Sequence, residues 1–325
     1  MKLLAAVPAV TVPIAITLIL TAAAGCAADE LAPEAAGAAD GTAEAVSALG
    51  AGWCNEQPVA IVSLPAGMAV AEPFIRVAGT TVLLYFNDYV NELRDLHHAV
   101  WIPNVGFVYR GPLQGVNTAA QLEAAPSIDA QGYIYFTNTA VPEMVSRGWL
   151  VQPETVAFAA PVAGMPVKVQ SGSILQGNMD FGVAPNHPFG ILSRAVWATP
   201  NPVPVQADLW YLRRAGGAVA HEPLETAYFL GALNTQDRLE YAAEVSGDGL
   251  AIVYTQLDPS TGTTRIMASV RARVDLPFGP PAAIVDNAPG TAIEGPTFAT
   301  DRIFFHKVFI GGGPTRLYTV ERCGA

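Results

Sequence analysis

Apolar residues along this chain come in short runs that alternate with clusters of Gly, Pro, Asp and Ser, a rhythm of strands and turns. The best-formed stretch is residues 239–281, LEYAAEVSGDGLAIVYTQLDPSTGTTRIMASVRARVDLPFGPP. Glu240 heads a strand ending at Val245, Ser246-Gly247-Asp248-Gly249 makes a turn, and residues 250–255 and 265–271 form a second and a third strand. Looser copies occur elsewhere. EPFIRVAGTTVLLYF starts at Glu72, LEAAPSIDAQGYIYFTN places Glu123, and IEGPTFATDRIFFHKV carries Glu294. A degenerate copy, MDFGVAPNHPFGILSRAVWA, keeps Asp180 and a strand over 191–198.

These acidic residues stand 51, 57, 60 and 54 residues apart. A period in that range, built only from strands and turns, predicts the blades of a β-propeller. Five units account for one domain over 54–325, and a sixth fits only if the long third unit conceals another blade. Third strands are expected at 98–102, 148–151, 208–213, 265–271 and 316–322, with outer strands at 156–160, 228–230 and 282–285. The fifth unit has no outer strand of its own. Residues 59–64, claimed by no unit, are expected to supply it and so to join the ends of the ring. That pairing would set Cys54 beside Cys323, and a disulfide between them would clasp the closure.

The N-terminus adds an address. Residues 1–26, MKLLAAVPAVTVPIAITLILTAAAGC, carry one positive charge, a long apolar run and small residues before a cysteine, as a secretion signal does. The end of this leader, Ala23-Ala24-Gly25-Cys26, resembles the bacterial lipobox, which implies lipidation of Cys26 and attachment to the envelope through the lipid alone. Ordinary cleavage nearby, giving a secreted or periplasmic protein, and an uncleaved anchor are the alternatives. Residues 27–53, rich in Ala and acidic residues, lack the large apolar side chains that would offset ordering entropy, so a disordered tether is expected.

With 17 Lys and Arg against 28 Asp and Glu, the net charge of -11 argues against nucleic acid as a partner. No Gly-rich phosphate loop or nucleophile elbow occurs, and the five histidines show no metal-ligand spacing.

The units EYAAEVSGDGLAIVYT, RIMASVRARVDLPFGPP and RLYTVER resemble the WD40-like repeats of TolB-type propellers, common in exported bacterial proteins. Ser246, Asp248, Gly249, Arg271, Pro277, Phe278 and Gly279 match that pattern, which implies a fold and structural roles for these residues but no catalytic one.

The sharpest functional lead is the acidic residue heading each unit. Glu72, Glu123, Asp180, Glu240 and Glu294 could gather near one mouth of the channel and bind a ligand or a cation such as Ca2+, or could simply pair with amides and arginines of neighbouring blades. The expected function is a monomeric, non-catalytic module that binds a protein or glycan at the envelope. The alternative is a five-bladed glycoside hydrolase, since EPFIRVAGTTVLLYF resembles the first blade of such enzymes, with Glu72 where they have Asp. Asp180 and Glu240 are then candidates for its second carboxylate.

Overall fold

The computed structural model describes residues 52–88, 94–138, 144–198, 203–299 and 301–323. Cys26, the leader and nearly all of the tether lie outside them. Two strands come first, β1 (Trp53–Pro58) and β2 (Ile61–Val62). Blade 1 follows as β3 (Ala71–Ala78), β4 (Thr81–Asn87), β5 (Leu96–Ile102) and β6 (Gly106–Pro112). Blade 2 is β7 (Glu123–Ile128), β8 (Tyr133–Asn138), β9 (Met144–Gln152) and β10 (Thr155–Pro161). Blade 3 has an extra short strand, β11 (Val169–Ser171), then β12 (Ile174–Val183), β13 (Phe189–Ala198), β14 (Gln206–Ala215) and β15 (Ala218–His221), after which comes the helix α1 (Pro223–Leu230). Blade 4 is β16 (Leu239–Val245), β17 (Ala251–Asp258), β18 (Thr263–Val270) and β19 (Ala282–Asp286). Blade 5 is β20 (Thr291–Ala299), β21 (Arg302–Phe309) and β22 (Arg316–Arg322), with β1 as its fourth strand.

Each inner strand touches those of both neighbours, in the order β3, β7, β12, β16, β20 and back to β3. The fold is therefore a closed five-bladed β-propeller, and the sixth-blade alternative falls away. Apolar side chains fill the seams: Tyr85 of blade 1 packs with Ile134 and Phe136 of blade 2, and Phe189 and Tyr211 of blade 3 pack with Tyr254 and Phe278 of blade 4.

Two strand assignments need correction. The ring is closed by β1, with Trp53 opposite Arg322 and Pro58 opposite Tyr318, and not by residues 59–64. Within that stretch only β2 is a strand. It runs parallel to β6, while Val59, Ile61 and Leu64 pack over the seam between blades 5 and 1. Second, residues 228–230 belong to α1. Pro223 stands at its first turn, where a missing N–H costs nothing, and β15 takes the outer edge of blade 3.

Cys54, on β1, and Cys323, just past β22, are free thiols in contact. A hydrogen bond to the Cys323 thiol, more than burial, pushes the Cys54 thiol up to about 11.

The turn at Ser246 to Gly249 shows why that motif marks the fold. Asp248 accepts the Leu250 amide at 2.9 Å, Ser246 Oγ accepts that of Ala251 at 2.9 Å, and Gly249 supplies a φ of 73°. Arg271 donates to the Gly249 carbonyl at 2.8 Å, and its guanidinium lies 4.3 Å from the centre of the Phe278 ring. These contacts hold a hairpin to a strand end, a packing role.

The inner strands share a device that the sequence does not advertise. Four have a bulge at a residue of positive φ: Glu72 (49°), Ala125 (51°), Ala242 (52°) and Gly295 (60°). A left-handed conformation costs a non-glycine residue on the order of 1 kcal/mol, so the surroundings must offset it. The offset comes from the preceding blade. The amide of Glu72 donates to His306 Nδ1 (3.1 Å), that of Ala125 to Asn87 (3.2 Å), that of Ala242 to Ser193 Oγ (3.0 Å) and that of Gly295 to Thr255 Oγ1 (3.1 Å). In blade 3 the irregularity falls between Asn178 and Asp180, and Thr137 of blade 2 donates to the Met179 carbonyl at 3.0 Å. A belt of inter-blade bonds thus encircles the channel.

Candidate active site

The bulges turn side chains into the end of the channel where the inner strands begin. A pocket of about 460 Å3 opens there, lined by all five inner strands. Glu72, Asp180, Glu244 and Glu294 reach it, together with Arg94, His306, Trp197 and Tyr241.

Glu72 lies on the blade 1 bulge itself. Its Oε1 is 3.3 Å from an Arg94 guanidinium nitrogen and its Oε2 accepts the Ala125 amide at 3.1 Å. Asp180 has both oxygens engaged, Oδ1 by the Ser193 hydroxyl at 2.6 Å and Oδ2 by the Ala242 amide at 2.9 Å. Enclosure by protein pushes its pKa up to about 7, with the Glu72 charge adding to the rise and these hydrogen bonds opposing it. Glu294 stands one residue before the blade 5 bulge. Tyr241 donates to its Oε1 at 2.7 Å, and His306 Nε2 lies 3.5 Å from its Oε2. Because His306 Nδ1 accepts the Glu72 amide, the neutral ring bears its proton on Nε2, facing Glu294. Burial pulls Glu294 upward, but His306, Tyr241 and the Arg94 charge outweigh it and leave its pKa below the ordinary carboxylate value.

Three of the five predicted acidic residues therefore meet in one pocket. Glu123 and Glu240 do not reach it. Both are fully buried and hold the loop leading into their own blade: Glu123 accepts the amide and hydroxyl of Thr118 at 3.2 and 2.9 Å, and Glu240 those of Thr235 at 3.3 and 2.7 Å. Burial raises both, Glu123 to about 6. The five carboxylates thus form no even ring. Among the described residues no group of three or more His, Cys, Asp or Glu is placed to hold a metal ion.

Glu244 escaped sequence reasoning because of the bulge. On a regular strand Glu240 and Glu244 would share a face. Here Glu240 pairs with Gln256 and Glu244 with Val253, three residues apart on β17, so the two face opposite sides. Tyr241, opposite Thr255, shares the face of Glu244 and joins it in the pocket. Burial pushes Glu244 up to about 8, against hydrogen bonds from Thr297 and the Phe298 amide. Of the strand tryptophans, Trp197 reaches this pocket, while Trp149 packs edge-on against Tyr133 and Trp210 stacks on His221.

No family model matches the chain, and no curated protein matches it either. Solved structures do. BT0996, in a complex with RGII, superposes with a TM-score of 0.58 at 8% identity, over 87% of this chain and 97% of the other. A glycoside hydrolase gives 0.58 at 7% identity, over 88% and 96%. The catalytic domain of Coprinopsis cinerea GH62 alpha-L-arabinofuranosidase gives 0.46 at 11% identity, over 83% and 96%. At such identities the likeness shows the fold alone, a β-propeller. The expected non-catalytic binding module is nonetheless overturned: the fold is shared with a glycoside hydrolase, and the channel mouth is an open pocket of inward carboxylates. Its enzymatic alternative is taken up below as a proposal.

Proposed function

We propose that this protein cleaves glycosidic bonds at the channel mouth. The observation that carries the reading is the meeting of Asp180 and Glu294 in one pocket with protonation tendencies pushed apart, one up to about 7 and the other below its ordinary value. Glycoside cleavage needs that contrast, a carboxylic acid to protonate the leaving oxygen and a carboxylate to act at the anomeric carbon or on its attacking water. Asp180 takes the first role and Glu294, held ionised by Tyr241 and His306, the second. Glu72, tied to Arg94, holds negative charge beside Asp180 and helps it keep its proton. Trp197 and Tyr241 give the pocket aromatic surface against which a sugar ring can lie.

The test is hydrolysis of a panel of neutral and acidic oligosaccharides, with Asp180→Asn and Glu294→Gln beside the wild type. Each substitution is expected to lower kcat by roughly 10²–10⁴-fold, the usual worth of a general acid or base, with an unchanged melting temperature. The wild-type rate should fall as pH rises through about 7, where Asp180 loses its proton, and again at acid pH where Glu294 gains one. Full activity in both folded variants, or an inert wild type across the panel, would sink the assignment.

The enzyme is proposed to work at the bacterial envelope, exported by its leader and attached through Cys26. Mass spectrometry of the mature protein should find diacylglyceryl on Cys26. An unmodified N-terminus elsewhere would remove the anchor and leave the propeller reading intact.

A further inference from the structure

The far end of the propeller has a second cavity of about 480 Å3 between blades 2 and 3, formed by the β7–β8, β12–β13 and β14–β15 turns. These turns follow the C-terminal ends of the inner strands β7 and β12 or lie beside them, so this cavity opens away from the channel mouth. Its chemistry is also reversed. Two guanidinium groups, Arg147 of β9 and Arg214 of β14, share it with one carboxylate, Asp129.

Asp129 is already engaged. It accepts the Tyr133 amide at 2.9 Å and the Tyr135 hydroxyl at 3.3 Å, and lies 3.3 Å from Arg214 Nη2. Arg147 has no carboxylate partner among the described residues. Its guanidinium carbon lies over the Tyr133 ring, 3.3 Å from the ring centre, a cation–π contact that holds the group in place. Arg147 Nε, Arg214 Nε and Nη1, and His187 Nε2 find no hydrogen-bond partner among the described residues. Buried donors left in that state are costly, and in native proteins they call for an explanation. Gly217 explains how the chain accommodates Arg147. A Cβ at this glycine (φ 93°) would lie 2.3 Å from Arg147 Nη1, so any side chain there would displace the guanidinium.

We infer that this cavity binds an oxyanion, carboxylate or phosphate, on a sugar-sized ligand, with Arg147 and Arg214 as its donors. Planar guanidinium groups match both oxyanions in bidentate geometry. In a chain of net charge -11 a site with two arginines around one carboxylate has a local field opposite to that of the molecule, which concentrates anions there. The site is independent of glycoside cleavage and shares no residue with the channel mouth.

The test uses one sugar in three forms. Glucose, glucuronate and glucose 6-phosphate are titrated into the full chain at low salt by calorimetry, and Trp149, whose ring centre is 4.6 Å from that of Tyr133, offers a fluorescence signal. One or both anions are expected to bind and glucose not to. Affinity should weaken with added salt and fall at least tenfold in Arg147→Gln and Arg214→Gln. Binding of glucuronate alone identifies a carboxylate site, of glucose 6-phosphate alone a phosphate site, and of both a general oxyanion site. Since Arg214 also braces Asp129, Arg147→Gln decides the matter, with its melting temperature as the check on folding. The inference is overturned if neither anion binds, if glucose binds equally, or if folded Arg147→Gln keeps wild-type affinity. It is overturned too if Asp180→Asn abolishes anion binding while Arg147→Gln does not, since that places the anion at the channel mouth.

Discussion

Glu244 illustrates how a single residue can link burial, protonation and stability. Its ordinary pKa of 4.5 is pushed to about 8 by burial, so the folded protein keeps a proton that the unfolded chain releases near 4.5. The stability this group contributes is fully present below 4.5 and is lost as pH rises through about 8, at up to ~1.4 kcal/mol per pH unit between the two values. Glu244→Gln mimics the protonated form and can still accept the Phe298 amide. Urea midpoints at pH 5 and pH 8 should therefore diverge less for the variant than for the wild type. An identical pH dependence in both would show that Glu244 does not hold its proton. Asp180 adds a slope of the same sign, so the comparison rests on the difference between the two proteins. Nothing in the sequence set Glu244 apart from Glu240, because the two are separated by a bulge rather than by any difference in residue type.

At the level of elements, the strands were legible and the bulges were not. Short apolar runs bounded by turn residues located second strands such as β4, β8 and β17, since each is buried along most of its length between neighbouring strands and blades. A bulge leaves no such trace when its positive-φ residue is Ala, as at Ala125 and Ala242, where a sequence reader expects Gly. Glycine carries meaning elsewhere. A Cβ at Gly182 of β12 would lie 1.9 Å from the Ala243 carbonyl of blade 4, backbone that cannot swing away. Gly182→Ala is expected to prise blades 3 and 4 apart at the belt and to cost more than ~2 kcal/mol, as overpacked sites do. At Gly247 the same change meets only the Asn186 side chain at 3.5 Å and should stay within about 0.5 kcal/mol. Chemical denaturation of the two variants side by side checks this. Equal stabilities would mean that the inner strands have more freedom than this packing allows.

For the whole molecule, closure of the ring was foreseen and the closing strand misplaced, for one physical reason. The outermost strand of a blade faces solvent, and β1 is WCNEQP, exposed from Asn55 onward. Hydrophobic patterning instead picks out residues 59–64, whose apolar side chains cover the seam between blades 5 and 1 and which add to the β22 ladder through the Val59 amide, bonded to the Leu317 carbonyl at 2.9 Å. The two roles can be separated by truncation. A chain beginning at Gly52 keeps β1, while one beginning at Val59 keeps the seam cover and loses the strand. The second exposes the outer edge of β22 and loses the Lys307–Glu56 and Asn55–Glu321 contacts. With about 1 kcal/mol for each ladder hydrogen bond, the loss should come to roughly 3–5 kcal/mol, and the open edge should promote association. Both chains are compared with the thiols reduced, so that any Cys54–Cys323 bridge contributes nothing. Equal melting temperatures and monomeric behaviour in both would mean that the seam packing closes the ring without β1. A lower melting temperature with larger species in the shorter chain would show that an outer strand almost devoid of buried side chains holds the propeller shut by its backbone.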